Sequence, residues 1–213
     1  MTGMHIIAVN RGRPEHIPGH AALTGICKHP VDAAMIAPLG LEGDAVMDSK
    51  NHGGPDQAVY LYGRPDYDVF ERELGRELPP GLFGENLTIG GLDSQAILIG
   101  DRFGIGEVLL EATSPRIPCA TFAARMGDPH WLKRFFAANR PGVYARVLHP
   151  GRVEAGMPVR HIPYAGEPVR VTELMQDYKN PAPERMRRLL KAPIHRELVE
   201  KYEAKLAQGD LLA

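Results

Sequence analysis

Short apolar runs recur along this chain as far as residue 168, separated by turns rich in glycine and proline. Apolar and polar positions that alternate with a period of two place one face of a strand in a core. On that basis strands are predicted at residues 5–10, 23–27, 57–62, 87–89, 96–99, 102–105, 108–113 and 143–148. Many short strands joined by tight turns are the pattern of a barrel or a sandwich. Three segments break the pattern with helical spacing. Residues 65–78 put Tyr67, Phe70 and Leu74 on one face, residues 120–127 read as a short helix closed by Gly127, and a third helix opens with Asp128 as N-cap and Pro129 at its first position. That third helix carries Trp131, Leu132, Phe135 and Phe136.

Near residues 162–166 the pattern changes to helices alone. Thr172 is a plausible cap for one, residues 183–190 form a second, and residues 195–208 form a third, ended by Gly209. Glu197 and Lys201 have the spacing of a favourable i,i+4 pair. The expected organisation is therefore a β-rich domain over residues 1–163 and a small helical subdomain over 164–213. The charges of the tail read as solvated helix faces.

A length of 213 residues with 44% apolar residues suffices for one good core with a small appendage. The formal net charge of -1 exerts no general pull on nucleic acid or anionic lipid, so neither is an expected partner. The apolar run Ile6 to Val9 is far shorter than the roughly 18 residues of a membrane span, which points to the cytoplasm. Two cysteines make no disulfide framework, in keeping with a reducing compartment. Of these, Cys27 reads as a core residue.

Cys119 has a different setting. It ends the segment Ser114-Pro115-Arg116-Ile117-Pro118-Cys119, between a predicted strand and a predicted helix, with a cation three residues away. A thiolate attacks electrophiles and ligates metals, and nearby positive charge favours it. A small buried hydrophobe is the alternative at this position, since cysteine is among the most buried residue types. Two glycine-containing turns add polar groups. In one, His52, Gly53 and Gly54 precede Gln57; in the other, Gly84 and Glu85 precede Asn86, whose amide both donates and accepts. Asn86 could equally bond its own turn. Asp93 and the pair Gly100 and Asp101 read as turn chemistry.

Five segments in order, Gly-Leu-Glu-Gly-Asp at 40–44, His-Gly-Gly-Pro-Asp-Gln-Ala at 52–58, Gly-Glu-Asn-Leu-Thr at 84–88, Gly-Asp at 100–101 and Pro-Arg-Ile-Pro-Cys at 115–119, resemble the MOSC domain. The family takes its name from the C-terminal domain of molybdenum-cofactor sulfurase. The likeness covers residues 5–162, and the helical tail is similar to the helical module of one branch of the family. It implies a mainly β fold, a β-barrel similar to that of the pyruvate kinase β-domain, decorated by helices. It also implies a pterin-based molybdenum cofactor rather than pyridoxal phosphate. By position, Cys119 would be the metal ligand and catalytic residue; His52, Gly53, Gly54, Gln57 and Ala58 would line the cofactor; Asn86 would contact its pterin; and Arg116 would lie near its anionic part. Thiolates suit such polarisable, redox-active metals.

What the resemblance implies for activity is reduction of small N-hydroxylated compounds such as hydroxylaminopurines, a detoxification. No flavin, dinucleotide or iron–sulfur motif is present, so electrons would come from a separate reductase. The alternative is a carrier of persulfide sulfur, or of the cofactor, without turnover. A third reading makes Cys119 a hydrolase nucleophile with His52, His130 or His149 as base.

Overall fold

The computed structural model describes residues 3–47 and 53–210. In chain order it begins with strands β1 (His5–Gly12), β2 (Lys28–Val31), β3 (Ala33–Ala37), β4 (Gly40–Leu41) and β5 (Val59–Gly63), then helix α1 (Arg64–Leu74) and β6 (Leu87–Gly90). Strands β7 (Arg102–Ile105) and β8 (Val108–Ser114) lead to helices α2 (Ala120–Met126) and α3 (Trp131–Ala138). After β9 (Val143–His149), β10 (Gly151–Glu154) and β11 (Arg160–Ile162), the chain ends in α4 (Val171–Asp177), α5 (Pro183–Leu189) and α6 (Arg196–Asp210).

One sheet has the order β11-β7-β8-β9-β5-β6-β1-β2, and a second has β10-β3-β4. Among the described residues only β5 and β6 pair in parallel, and α1 is their crossover, as a parallel pair requires. Strand β5 shows why the architecture has two cores. Val59 and Leu61 face an aliphatic cluster with Ile36, Leu87, Phe103 and Val153, while Tyr60 and Tyr62 face an aromatic cluster with Phe83, Phe122, Trp131 and Phe135. Alternation on one strand thus feeds both, and both faces are buried.

The expectation of a mainly β closed barrel is corrected to a mixed α/β fold with an open sheet. The seam shows the physical reason. Beside β1 lies the segment entering β11, with Ile6 N–H donating to Met157 O at 2.9 Å and Val159 N–H to Met4 O at 2.9 Å. Between them His5 and Pro158 form a single bridge rather than a ladder, and from Arg160 the chain pairs with β7 instead.

Other expectations shift too. Residues 23–27 are not a strand; Thr24 makes an isolated bridge to Glu15, and the strand begins at Lys28. Residues 96–99 form no strand either, and Leu98 bridges Arg170 at the entrance to α4. Thr172 lies inside α4, Gly209 lies inside α6, and Asp128 precedes α3 with its carboxylate accepting from His130 N–H at 2.8 Å. Lys201 does not pair with Glu197: its Nζ donates to Tyr178 O at 3.1 Å, and the i,i+4 ion pair on α6 is Arg196 with Glu200. The helical tail is packed onto the sheet, since Val171, Leu174, Leu189, Ile194, Leu198 and Tyr202 join the aliphatic cluster.

Candidate functional site

Strand β8 ends at Ser114, the two prolines carry the chain across the end of the sheet, and Cys119 stands as the residue before α2 with extended backbone (φ -127, ψ 172). Helix α2 ends at Gly127 in the left-handed conformation, as its sequence predicts. Cys119 is partly exposed, whereas Cys27 is buried and its thiol is pushed up in pKa by that burial. The core reading of Cys27 therefore holds.

Beneath Cys119 the Arg116 side chain is buried. Its guanidinium lies 4.6 Å from the Phe122 ring centre and 5.2 Å from that of Tyr60, and Nη1 donates to the Tyr144 hydroxyl at 3.3 Å. Burial disfavours its charge, but Tyr144, Tyr60 and Cys119 favour it, and the pKa ends above the usual arginine value. The result is a fixed positive charge in an aromatic cage. Its Nε is buried with no hydrogen-bond partner among the described residues.

Asn86 does not bond its own turn. Its Oδ1 accepts from Tyr60 N–H at 3.0 Å and its Nδ2 donates to Asp44 Oδ2 at 2.9 Å. The Asp44 carboxylate is in turn held by Lys28 Nζ at 2.5 Å and by Gly12 N–H at 2.6 Å. Burial lowers the Lys28 pKa and Asp44 opposes that shift. This network fixes Asn86 at the start of β6 and leaves one of its N–H groups unused by the described bonds.

A cavity of about 390 Å³ gathers Gly53, Gln57, Ala58, Asn86, Arg116 and Cys119. Gly54 does not line it and instead precedes the 3-10 turn Pro55–Gln57, and His52 lies outside the described residues. Sequence reasoning missed Lys28, Tyr60 and Tyr144, which also line this cavity. Asp44 lines it as well and stood in a motif already singled out, but without a role.

A second cavity, of about 350 Å³, lies on the other side of the same cysteine and shares Gln57, Cys119, Thr121 and Tyr144 with the first. Its far wall comes from the helical tail, with Tyr178, His195 and Lys201. His130 and His149 are exposed and line neither cavity, so the structure does not bring them to Cys119 as hydrolase bases. Among the described residues no helix is long and apolar enough to cross a membrane.

Residues 48–160 match the family model of the MOSC domain, a family linked to the molybdenum cofactor. The chain is 37% identical over 154 residues to the uncharacterised protein YflK of Bacillus subtilis (strain 168), a stretch covering 71% of this chain and 70% of that one. It is 34% identical over 141 residues to the protein YiiM of Escherichia coli (strain K12), covering 64% of this chain and 62% of that one. A Gibberella moniliformis (strain M3125 / FGSC 7600) protein named reductase is 35% identical over 112 residues, 51% of this chain but 20% of its own length. Among solved structures, YiiM from Geobacillus stearothermophilus superposes with a TM-score of 0.78 at 25% identity, covering 95% of this chain and 99% of that chain. The family-model match spans more than half of the sequence, and the likeness to the YiiM structure extends through the helical tail. This chain therefore belongs to the MOSC domain family, in its YiiM type.

Proposed function

We propose that the chain is a molybdenum-cofactor-dependent reductase of N-hydroxylated compounds, with Cys119 as the protein's ligand to the metal. The observation that carries this reading is that a partly exposed cysteine shares one cavity with a buried arginine whose Nε is without a hydrogen-bond partner among the described residues.

The residues present fit such a group. Among the described residues no three His, Cys, Asp or Glu side chains gather as a metal cage, so a metal here needs ligands from its own cofactor beside one soft thiolate. Gly84 keeps the floor open. It has φ +79, and a Cβ there would stand 3.1 Å from Ile26 Cγ1 and 3.5 Å from Arg116 Nη1, over the face where an anionic group would approach the guanidinium. Arg116 would offset the anionic charge, the spare N–H of Asn86 and the buried, unpartnered Oε1 of Gln57 would orient the pterin, and Gly53 and Ala58 would form the wall. His52 remains part of the proposal by its position in the sequence.

Bound there, the group would supply two-electron reduction of an N–O bond: R–NH–OH, two electrons and two protons give R–NH2 and water. The chain's own residues would place the substrate and exclude competing water. In the fungal reductase the stretch like this chain is 20% of the protein, which suits a reductase module supplied elsewhere; here a separate donor protein would fill that role. Residues 1–163 would hold the cofactor and residues 164–213 would form a helical subdomain beside it.

The test is elemental analysis of purified protein for molybdenum, with reduction of 6-hydroxylaminopurine by a chemical electron donor. Both should be present in the wild type and absent in Cys119→Ala. Molybdenum retained by the variant contradicts the ligand role. An extra sulfur on Cys119 in the intact mass, with no pterin, would favour the carrier reading.

A further inference from the structure

We infer that Tyr144 is a catalytic residue of the Cys119 centre, its hydroxyl donating a hydrogen bond to the oxygen of the substrate's N–OH group as the N–O bond breaks. The inference rests on the reductase reading and adds to it a residue that acts on the reacting oxygen.

Four tyrosines belong to the aromatic cluster, and three of them give their protons to an acceptor. Tyr60 Oη donates to Pro141 O at 2.7 Å, Tyr62 Oη to Arg140 O at 3.0 Å, and Tyr67 Oη to Glu85 Oε1 at 2.6 Å. Tyr144 Oη instead receives a bond, from Arg116 Nη1 at 3.3 Å, and its own proton has no acceptor among the described residues. Tyr144 is buried, and a buried O–H is seldom left unused without a reason.

Tyr144 lines both cavities that meet at Cys119. The other residues common to both are Gln57, Cys119 and Thr121. In the reductase reading Gln57 serves the cofactor and Cys119 the metal. Thr121 has no proton to spare. His20 Nδ1 lies 2.8 Å from Ala22 O, a carbonyl that only accepts, so Nε2 of the neutral ring is an acceptor and the Thr121 hydroxyl, 3.0 Å away, donates to it. Among the described residues, Tyr144 is therefore the hydroxyl on the shared wall with a proton left for a ligand.

The donor is also rigid and polarised. Tyr144 pairs with Tyr60 of β5 and with Ser114 of β8, its ring centre lies 4.7 Å from that of Tyr60, and its carbonyl accepts from Thr113 Oγ1 at 3.0 Å. A donor held this way needs no reorganisation as charge develops on its target. Burial raises the Tyr144 pKa, Arg116 opposes and burial prevails, so the hydroxyl keeps its proton. The guanidinium bonded to Oη strengthens the O–H as a donor. In the reaction two electrons from the separate donor protein break the N–O bond, and the departing oxygen takes two protons from solvent and leaves as water. Tyr144 stabilises the charge that builds on that oxygen and returns to its starting state.

The experiment is calorimetric titration of the purified full chain, without an electron donor so that nothing turns over, with 6-hydroxylaminopurine and with adenine, which lacks the N-hydroxyl. Wild type should bind the hydroxylated base more tightly. Tyr144→Phe, which removes only the hydroxyl, should reduce that preference about three- to tenfold, the worth of one neutral hydrogen bond, and leave adenine binding and molybdenum content at the wild-type level. With a chemical electron donor its kcat should fall about a hundredfold, as for loss of one donor to a developing charge. Equal binding of the two bases by wild type, or a preference kept by Tyr144→Phe, overturns the assignment. Molybdenum lost from the variant with the preference intact would make Tyr144 a brace for Arg116 and overturn it too. Should Tyr144→Phe not fold, 3-fluorotyrosine at position 144, a stronger donor of nearly the same shape, should widen the preference, and an unchanged preference overturns the assignment. A preference that Tyr144→Phe removes in protein free of molybdenum would sustain the hydrogen bond while defeating the reductase reading.

Discussion

The Asp56 carboxylate accepts a hydrogen bond from Arg196 N–H at 2.8 Å, joining the 3-10 turn before Gln57 to the first residue of α6. The same carboxylate pairs with Arg146 Nε at 2.9 Å, and the Asp56 carbonyl accepts from Thr113 Oγ1. One side chain thus satisfies an otherwise unpaired helix N–H and fixes the turn that carries a shared cavity residue. Asp56→Ala should cost about 1–2 kcal/mol. Hydrogen exchange should show faster amides in the first turn of α6; unchanged protection there would show that the cap is idle.

Replacing Arg116 by methionine separates folding from function. A buried charge lacking full partners is often replaced by an apolar side chain at little cost or with a gain. Arg116→Met keeps an unbranched stem between Phe122 and Tyr60, so the unfolding free energy from urea titration should stay within about 1 kcal/mol of wild type. Molybdenum content should fall at least severalfold. Loss of stability with full metal content would reverse the assignment and make Arg116 a structural residue.

The parts of this molecule that were legible in its sequence are those whose signal is local. Val59, Tyr60, Leu61 and Tyr62 announce a strand by themselves, and Gly127 ends α2 where a glycine should. Strand β2 was not legible, because Lys28-His29-Pro30-Val31 has no apolar face; it is a sheet edge held by backbone pairing to β1, where proline is tolerated. In the same way the motif residues Gln57, Asn86, Arg116 and Cys119 were found and do share a cavity. Lys28 was not, since a lysine reads as exposed until its partner Asp44 is brought beside it by the fold. The second cavity was invisible for a similar reason: Ser114 and His195 meet only through packing of the helical tail on the sheet.

Phe83 is fully buried immediately before Gly84, stacked 4.6 Å from Tyr62 and in edge contact with Tyr67 at 4.8 Å and Phe122 at 5.8 Å. It links α1, α2 and α3 to the sheet face beneath Arg116. Phe83→Ala should cost about 3–5 kcal/mol, and Phe83→Leu less, as read from urea unfolding. A loss below 1 kcal/mol for the alanine variant would mean that the aromatic cluster closes over the gap.

Asp66 supplies a pH signature. Its side chain is fully buried in α1, where Arg140 Nη1 donates to Oδ1 at 2.8 Å and Ser94 N–H lies 3.3 Å from Oδ2. Burial raises its pKa, the bonds from Arg140 and Ser94 oppose, and burial prevails: the value moves from 3.8 to about 6. Between those values the folded state keeps a proton that the unfolded chain has released. Unfolding then frees a proton and grows easier as pH rises, so this contribution is full below about pH 4 and lost as pH climbs through 6. Asp66→Asn removes the titration. The stability of wild type relative to that variant should be greater at pH 4 than at pH 7 by roughly 2–3 kcal/mol, at about 1.4 kcal/mol per unit of pKa. Urea midpoints at both pH values measure it. A difference that instead grows toward pH 7 would mean that the Arg140 ion pair, not burial, governs this carboxylate.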